Sequence, residues 1–356
     1  MKRRKLFSLA VVAALSIATG SMTAEAATKK EAVAKKIRIG FFSNVTHAPA
    51  LIGQDLGFFK KHLGKDKTEI EYVAFNAGPA AIEAMKAGAI DVTYIGPNPT
   101  INGFSSTRGS LLKIISGSTS GGAEFVVKPS ISTIDDLKGK KLATPQLGNT
   151  QDVALRSWLK SKGFTTSITG AGDVTIIPTE NAQTLALFQR GDIDGAWLPE
   201  PWSTRLVIEA GAKVFLDEKT LWPKGQFVTT QIISSSTFLK KFPGTIRSLL
   251  NAHLESINYI NKNSVAAQDA AQRQIEKWSG KRLADDVMAR AWKNLVFTSD
   301  PVSKSLEKSA DDAVDAGVLT NLGSRGINGI YDLRILNSIL KASKQKPVSA
   351  NGLGLN

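Results

Sequence analysis

The chain has no cysteine and only three histidines in 356 residues. No disulfide and no thiolate nucleophile can be built from it, and His47, His62 and His253 are too scattered to form a spaced Cys/His metal cluster. The sequence has no G-x-S-x-G elbow, no Walker loop, and no G-x-G-x-x-G following a strand. Past the N-terminus, no apolar run reaches the roughly 20 residues that a bilayer-spanning helix needs. Together these absences turn the reading away from catalysis and toward binding, with no metal and no cofactor expected.

The first residues are informative. Lys2, Arg3, Arg4 and Lys5 form a positive stub, Leu6 to Gly20 is uncharged and largely apolar, and Ala24-Glu25-Ala26 offers small residues at a cleavage site. That is the layout of a secretory signal peptide, and residues 1–26 are expected to be removed. A secreted or periplasmic protein follows. Without cysteine it has no residue to carry a lipid anchor.

The full chain carries a net charge of +14, and the part after Ala26 carries 41 basic and 30 acidic residues, or +11. The lysines are dispersed and are not interleaved with aromatics, so a nucleic-acid partner is not expected. A small anion, or simple solubility, accounts for such a surplus.

The remaining length suits two domains. Ile37 to Phe42 alternates as a strand, Pro49 to Phe59 has helical spacing, and Glu69 to Phe75 is a second strand. A helix opening at Pro79 stops at Gly88, and a strand covers Ile90 to Ile95. The syntax then recurs: strand at Lys141–Thr144, helix from Gly148 to Leu159, strand at Val174–Ile177, and a helix from Asn181 to Gly191. At an offset of 103 residues Gly88 aligns with Gly191, Ile90 with Ile193 and Asp91 with Asp194. Alternating strands and helices predict parallel α/β sheets, and the repeat predicts two similar lobes. The expected boundaries are 27–127 for the first part of lobe one, 128–225 for lobe two, and 226–356 for a return to lobe one with C-terminal helices. Crossovers are expected at Val126–Pro129 and Gly225–Val228, where the backbone can hinge.

Open α/β sheets bind ligands where strands end and helices begin. A helix start presents unpaired N–H groups and the positive end of a dipole, so it holds an anion without a charged side chain. Four such starts are legible. They carry Asn44 and His47, Asn76 and Gly78, Asn98, and then Asn149, Thr150 and Gln151. Gly117 to Gly122 reads as a polar glycine-rich loop, bringing Gly121 toward the cleft. Trp197-Leu198-Pro199-Glu200-Pro201-Trp202 ends a strand of lobe two. There Trp202 can wall a pocket, and Glu200 can accept from a ligand ammonium or pair with Arg205.

Several segments in order resemble one known family: Ile39-Gly40-Phe41, Gly57-Phe58-Phe59-Lys60-Lys61, Ala87-Gly88-Ala89-Ile90-Asp91, Ile134 to Ala143 and Gly191 to Trp197. They resemble the nitrate, sulfonate and taurine family of ABC-transporter substrate-binding proteins, most nearly its aliphatic sulfonate binders. The resemblance implies a type II periplasmic-binding fold: two lobes joined by two crossover strands, closing on a ligand in the cleft between them. It implies a monomer that delivers a small anion or zwitterion to a membrane permease. The polar residues at the helix starts would hold the anion, and Glu200 would receive the amine of taurine. Nitrate, bicarbonate or a thiamin-pyrimidine precursor are the alternative ligands. A pyrimidine-synthase-like enzyme is the alternative class, with His47 as the one histidine placed for it.

Overall fold

The computed structural model describes residues 31–356 apart from 321, 324 and 325; the expected signal peptide lies outside the described residues. The first lobe opens with β1 (Lys36–Phe42), α1 (Ala48–Asp55), α2 (Phe58–Gly64), β2 (Glu69–Phe75), α3 (Gly78–Lys86), β3 (Val92–Ile95), α4 (Pro97–Ser106) and β4 (Leu112–Gly121). The second holds β5 (Ala123–Val127), β6 (Lys141–Thr144), α5 (Thr150–Ser161), β7 (Thr175–Pro178), α6 (Asn181–Arg190), β8 (Gly195–Pro199), α7 (Trp202–Ala210) and β9 (Lys213–Asp217). The chain then returns through β10 (Val228–Ser235), α8 (Ser236–Lys241), α9 (Pro243–Lys262), α10 (Ser264–Ser279) and α11 (Asp285–Lys293). It ends with β11 (Leu295–Phe297), α12 (Lys304–Asp315), β12 (Tyr331–Asp332), α13 (Arg334–Ala342) and β13 (Gly354–Leu355).

Two sheets result. The first runs β13-β12-β4-β10-β3-β1-β2, with β11 also on β4, and the second runs β7-β6-β8-β5-β9. Strands β1, β2 and β3 pair parallel, as do β6, β7 and β8. Ile37, Ile39 and Phe41 are fully buried, the alternate positions that the pattern of β1 marks as inward-facing. One apolar cluster fills the first lobe and two line the faces of the second sheet. In α9 the buried residues Ile246, Leu249, Leu250, His253, Ile257 and Ile260 follow helical spacing and join the first-lobe core.

The 103-residue offset is physical. Asp91 Oδ2 accepts the backbone N–H of Arg38 at 2.9 Å, and Asp194 Oδ2 accepts that of Lys141 at 3.0 Å, each pair 53 residues apart. The strand registers Ile39–Val92 and Leu142–Gly195 repeat at the same offset. Each aspartate fastens the start of its lobe's first parallel strand and also holds a cation, Arg38 at 2.7 Å and Lys128 at 2.9 Å. At the shared helix stops, Gly88 and Gly191 both adopt positive φ.

The first sheet change falls earlier than the sequence suggested. It occurs at Gly121–Gly122, so 123–127, assigned to lobe one, form β5 in the second sheet. Two successive left-handed residues, φ +79° and +76°, make the turn that β-branched Val126 and Val127 could not. Gly117 to Gly121 are likewise strand, not loop. They end β4, where Ser116 Oγ bonds the Gly117 carbonyl at 2.8 Å and Thr119 Oγ1 bonds that of Thr46 at 2.7 Å. With the Ser116 and Thr119 hydroxyls satisfied, and Ser118 Oγ left without a partner, a polar sequence occupies a buried strand.

Candidate functional site

Where the two sheets face each other, a small cavity is lined by Phe42, Asn44, Thr46, His47, Asn76, Gly96, Asn149, Thr150, Gln151, Asn181, Pro199, Thr229 and Thr230. The lobes contribute in parallel: His47 and Thr150, and Gly96 and Pro199, are each 103 residues apart. The space is half open and about 20 Å³ in this arrangement of the lobes.

The wall holds no charged side chain. It collects the starts of helices α4, α5 and α6, and none of these has a side-chain cap. The N-cap residues are Gly96, Asn149 and Glu180, all with extended backbone, and the Asn149 side chain does not turn back onto the helix as an asparagine cap ordinarily does. The first N–H groups of α5 and α6 are therefore left for something in the cleft, while α4, which opens Pro97-Asn98-Pro99, has an N–H only at Asn98 among its first three residues. Two further polar atoms on this wall, Thr150 Oγ1 and Asn181 Oδ1, are buried without a hydrogen-bond partner. Other buried side-chain atoms among the described residues also lack a partner, but these two face one small cavity, where a ligand could reach both.

His47 is 2 % exposed, and burial pushes its imidazole down to about 3, so it is neutral. Its Nδ1 accepts the Phe42 N–H at 3.2 Å, and the ring stacks on Phe42 with centroids 4.4 Å apart. The proton of the neutral ring accordingly sits on Nε2, adding a neutral donor to the wall. The α5 start is braced from behind. Asp152, wholly buried, accepts from Thr144 Oγ1 at 2.8 Å, Gly148 N at 3.0 Å and Arg156 Nε at 3.0 Å.

Two hydrogen bonds cross the cleft at its mouth. Trp202 Nε1 donates to Asn44 Oδ1 at 2.9 Å, and Asn76 Nδ2 donates to Glu180 Oε1 at 3.2 Å. Outside them opens a vestibule of about 550 Å³, sharing Asn44, Asn76 and Asn181 with the inner cavity.

Of the residues singled out in the sequence, Asn44, His47, Asn76, Asn149, Thr150 and Gln151 come together around the inner cavity, and Trp202 stands in the vestibule. Gly78 lies just behind, where a β-carbon would meet Pro99 Cβ at 2.7 Å and Asn149 Oδ1 at 3.3 Å. Asn98 is turned away, its amide donating to the Ser309 carbonyl at 2.9 Å. Gly121 sits at the sheet change, its carbonyl accepting from Thr229 Oγ1 at 2.5 Å.

Glu200 is also outside both spaces. It is fully buried and accepts from Thr204 Oγ1 at 2.9 Å and Asn294 Nδ2 at 2.6 Å, with Arg290 at 3.5 Å. Arg205, its expected partner, instead pairs with Glu209 at 2.9 Å. Burial, reinforced by nearby Glu124, pushes the Glu200 carboxyl up to about 7 against the opposing pull of its donors.

Asn181, Thr229 and Thr230 were not anticipated. Asn181 is legible in hindsight, standing 103 residues after Gly78 at the matching helix start. The threonines belong to the returning strand and carry no local signal.

Chemically, the cavity offers a mostly neutral set of hydrogen-bond donors, the kind of surroundings that suit an oxyanion. No nucleophile–base pair lines the wall, and no group of three His, Cys, Asp or Glu that could hold a metal occurs among the described residues.

Known proteins agree with this architecture. The NMT1-like family model matches residues 30–275. The taurine-binding periplasmic protein of Escherichia coli is 24% identical over 208 residues, spanning 58% of this chain and 62% of that protein, so the match covers less than two thirds of that relative. Among solved structures, the alkanesulfonate-binding protein SsuA from Xanthomonas axonopodis pv. citri bound to MOPS superposes with a TM-score of 0.65 at 21% identity, covering 82% of this chain and 96% of that one. The periplasmic nitrate-binding protein NrtA from Synechocystis PCC 6803 gives 0.71 at 15% identity, covering 89% and 92%. These likenesses establish the type II periplasmic-binding fold.

Proposed function

The chain belongs to the NMT1-like family, and from that premise we propose that it is the extracytoplasmic solute-binding component of an ABC importer, capturing an aliphatic sulfonate or taurine by closure of its two lobes. The observation that carries this is the uncharged cavity where helix starts without side-chain caps meet the unpartnered Thr150 and Asn181 oxygens. A sulfonate head has three oxygens to accept from the helix-start N–H groups and the Thr150 hydroxyl, while the Asn181 amide oxygen, an acceptor, is matched only by a ligand N–H or O–H such as the ammonium of taurine. The family relatives named for taurine and alkanesulfonate support the same ligand class.

Closure follows from geometry. The Asn44–Trp202 and Asn76–Glu180 bonds join the lobes at the cleft mouth, and a ligand bridging both sets of helix starts favours that state over an open one. The closed form is then the shape offered to a membrane permease.

A second reading, nitrate or bicarbonate, is favoured by the small inner volume. A thermal-shift panel of methanesulfonate, taurine, nitrate and bicarbonate decides between them. A ligand at 100 times its dissociation constant adds about 2.7 kcal/mol of stability. Stabilisation by sulfonates but not by nitrate or bicarbonate is the expected result; stabilisation by nitrate alone replaces the sulfonate reading, and a flat panel sinks both.

A further inference from the structure

Asn294 stands where α11 ends, and its side chain reaches from the first lobe into the second. The helix behind it is anchored: Val287, Met288, Ala291 and Trp292 are buried in the first-lobe cluster. Asn294 Nδ2 donates to Glu200 Oε1 at 2.6 Å, and Thr204 Oγ1 donates to the same oxygen at 2.9 Å. The Thr204 N–H donates to Glu200 Oε2 at 3.2 Å, and the Glu200 N–H donates to the Gly122 carbonyl at 2.9 Å. Glu200 is thus fixed by a helix of one lobe, by α7 of the other, and by the turn that joins them. Two residues on, Trp202 donates across the cleft mouth to Asn44. We propose that Asn294 and Glu200 are positioning residues for ligand capture. Through the short step from Glu200 to Trp202 they set the Trp202–Asn44 bond, and so the fraction of molecules whose lobes are joined, without touching the ligand. This rests on the closure reading above for what the joined lobes retain, and not on which anion is bound.

Rigidity makes the linkage effective. Glu200 is fully buried, so no water replaces a donor that it loses, and the segment carrying it must shift to find another. Trp202 has little freedom of its own. The Arg205 guanidinium lies 4.7 Å from its ring centre, and Arg205 is in turn held by Glu209 through two bonds of 2.9 Å. The indole therefore moves with the start of α7 as one piece. Its bond to Asn44 is 2.9 Å long, so a displacement of about 0.6 Å takes it past hydrogen-bond reach. Pro199, on the other side of Glu200, lines the anion cavity. One buried carboxyl thereby fixes a piece of the cavity wall and the latch at the mouth together. Because Glu200 lines neither the cavity nor the vestibule, its effect on binding is one of placement.

The absence of cysteine allows a clean test. Spin labels introduced by Lys60→Cys on α2 and Gln183→Cys on α6, both exposed positions, report the distance between the lobes by pulsed dipolar spectroscopy with no competing thiol. In the unliganded protein, Trp202→Phe keeps a ring beside Arg205 but has no N–H for Asn44. It is expected to shift the ratio of joined to open lobes about fivefold toward open, the worth of one hydrogen bond. Asn294→Ala is expected to do the same, as is Asn294→Asp, which has a similar shape but no N–H for Glu200. Combined with Trp202→Phe, either is expected to open the cleft about fivefold and not about twenty-fivefold, because both act through one bond. Glu200→Gln keeps an oxygen for Asn294 and the Thr204 hydroxyl and is expected to stay within about twofold of the native ratio. A merely structural Asn294 would lower the melting temperature and multiply with Trp202→Phe. Unchanged distances in both Asn294 variants, or full multiplication in the double variant, overturn the relay. Calorimetry with methanesulfonate on the native chain tests the ligand reading separately: absence of binding counts against the sulfonate alone and leaves the distances to decide the relay.

Discussion

Arg290 of α11 grips both carboxylate oxygens of Glu124 in the second sheet, each at 3.0 Å. The same guanidinium reaches Thr204 Oγ1 and stands 3.5 Å from Glu200 Oε1. One cation thus serves two buried carboxyls beside the Gly121–Gly122 sheet change, tying the returning helices to the second lobe. Removing it strands both carboxyls in a poorly solvated place. Arg290→Met is expected to cost about 3–5 kcal/mol of stability, read by urea denaturation at neutral pH. A cost below about 1 kcal/mol would show that the cluster carries little of the interlobe contact.

Four buried groups oppose one another as pH changes. Glu200 and Glu218 are both pushed up to about 7 by burial. Between about pH 4.5 and 6.5 the folded chain therefore holds protons that the unfolded chain has lost, and stability falls as pH rises. His47 and His253 are pushed down by burial to about 3 and about 4. Over the same window the unfolded chain binds protons that these rings refuse, and stability rises with pH. The pairs nearly cancel, so stability is expected to be close to flat from about pH 4.5 to 6.5 and to fall in more acid solution. Glu218→Gln retains an acceptor for the Trp197 indole, which donates at 2.8 Å, while removing one of the four groups. Its stability should then climb with pH through that window, at up to about 1.4 kcal/mol per unit. A downward slope in the variant contradicts the assignment.

Gly96 has an ordinary φ of −73°, so backbone freedom does not explain it. Space does: a β-carbon there would lie 2.5 Å from Thr150 Oγ1, in the opposite lobe. Gly96→Ala is expected to weaken anion binding on the order of tenfold while leaving the unliganded melting temperature within about 2 °C, since the added methyl interferes only where the lobes meet. Titration calorimetry with melting curves checks both halves.

The Asp152–Arg156 pair lies wholly buried behind the α5 start. Asp152→Ala removes the acceptor for Thr144, Gly148 and Arg156 together and leaves an uncompensated guanidinium. A loss of about 3–5 kcal/mol is expected in denaturant titration. Ligand affinity in the surviving folded fraction should fall as well, because Gly148 anchors the turn that presents Asn149 to Gln151.

The α/β syntax was legible in the sequence because it is local. Glu69–Phe75 and Lys141–Thr144 have the bounds their patterns predict, and Gly88 and Gly191 end helices where a left-handed residue is needed. The helix starts at Asn44, Asn76 and Asn149 were legible for the same reason. Glu200 was not. Its position in the chain follows from β8, but its surroundings are set by Arg290 and Asn294, 90 and 94 residues further on. Gly117–Gly122 was misread because serine, threonine and glycine favour loops until neighbouring strands satisfy them on both sides. Thr229 and Thr230 reach the cavity only through the antiparallel return of β10, a long-range pairing that no local pattern announces.

The uncharged cavity wall has a kinetic consequence. For an anion bound as proposed, attraction would come from the net charge, +11 for the part after Ala26, spread over a surface that salt can screen. Retention would come from dipoles buried beyond the reach of counterions. Ionic strength should therefore slow arrival and leave the residence time of the captured anion almost untouched.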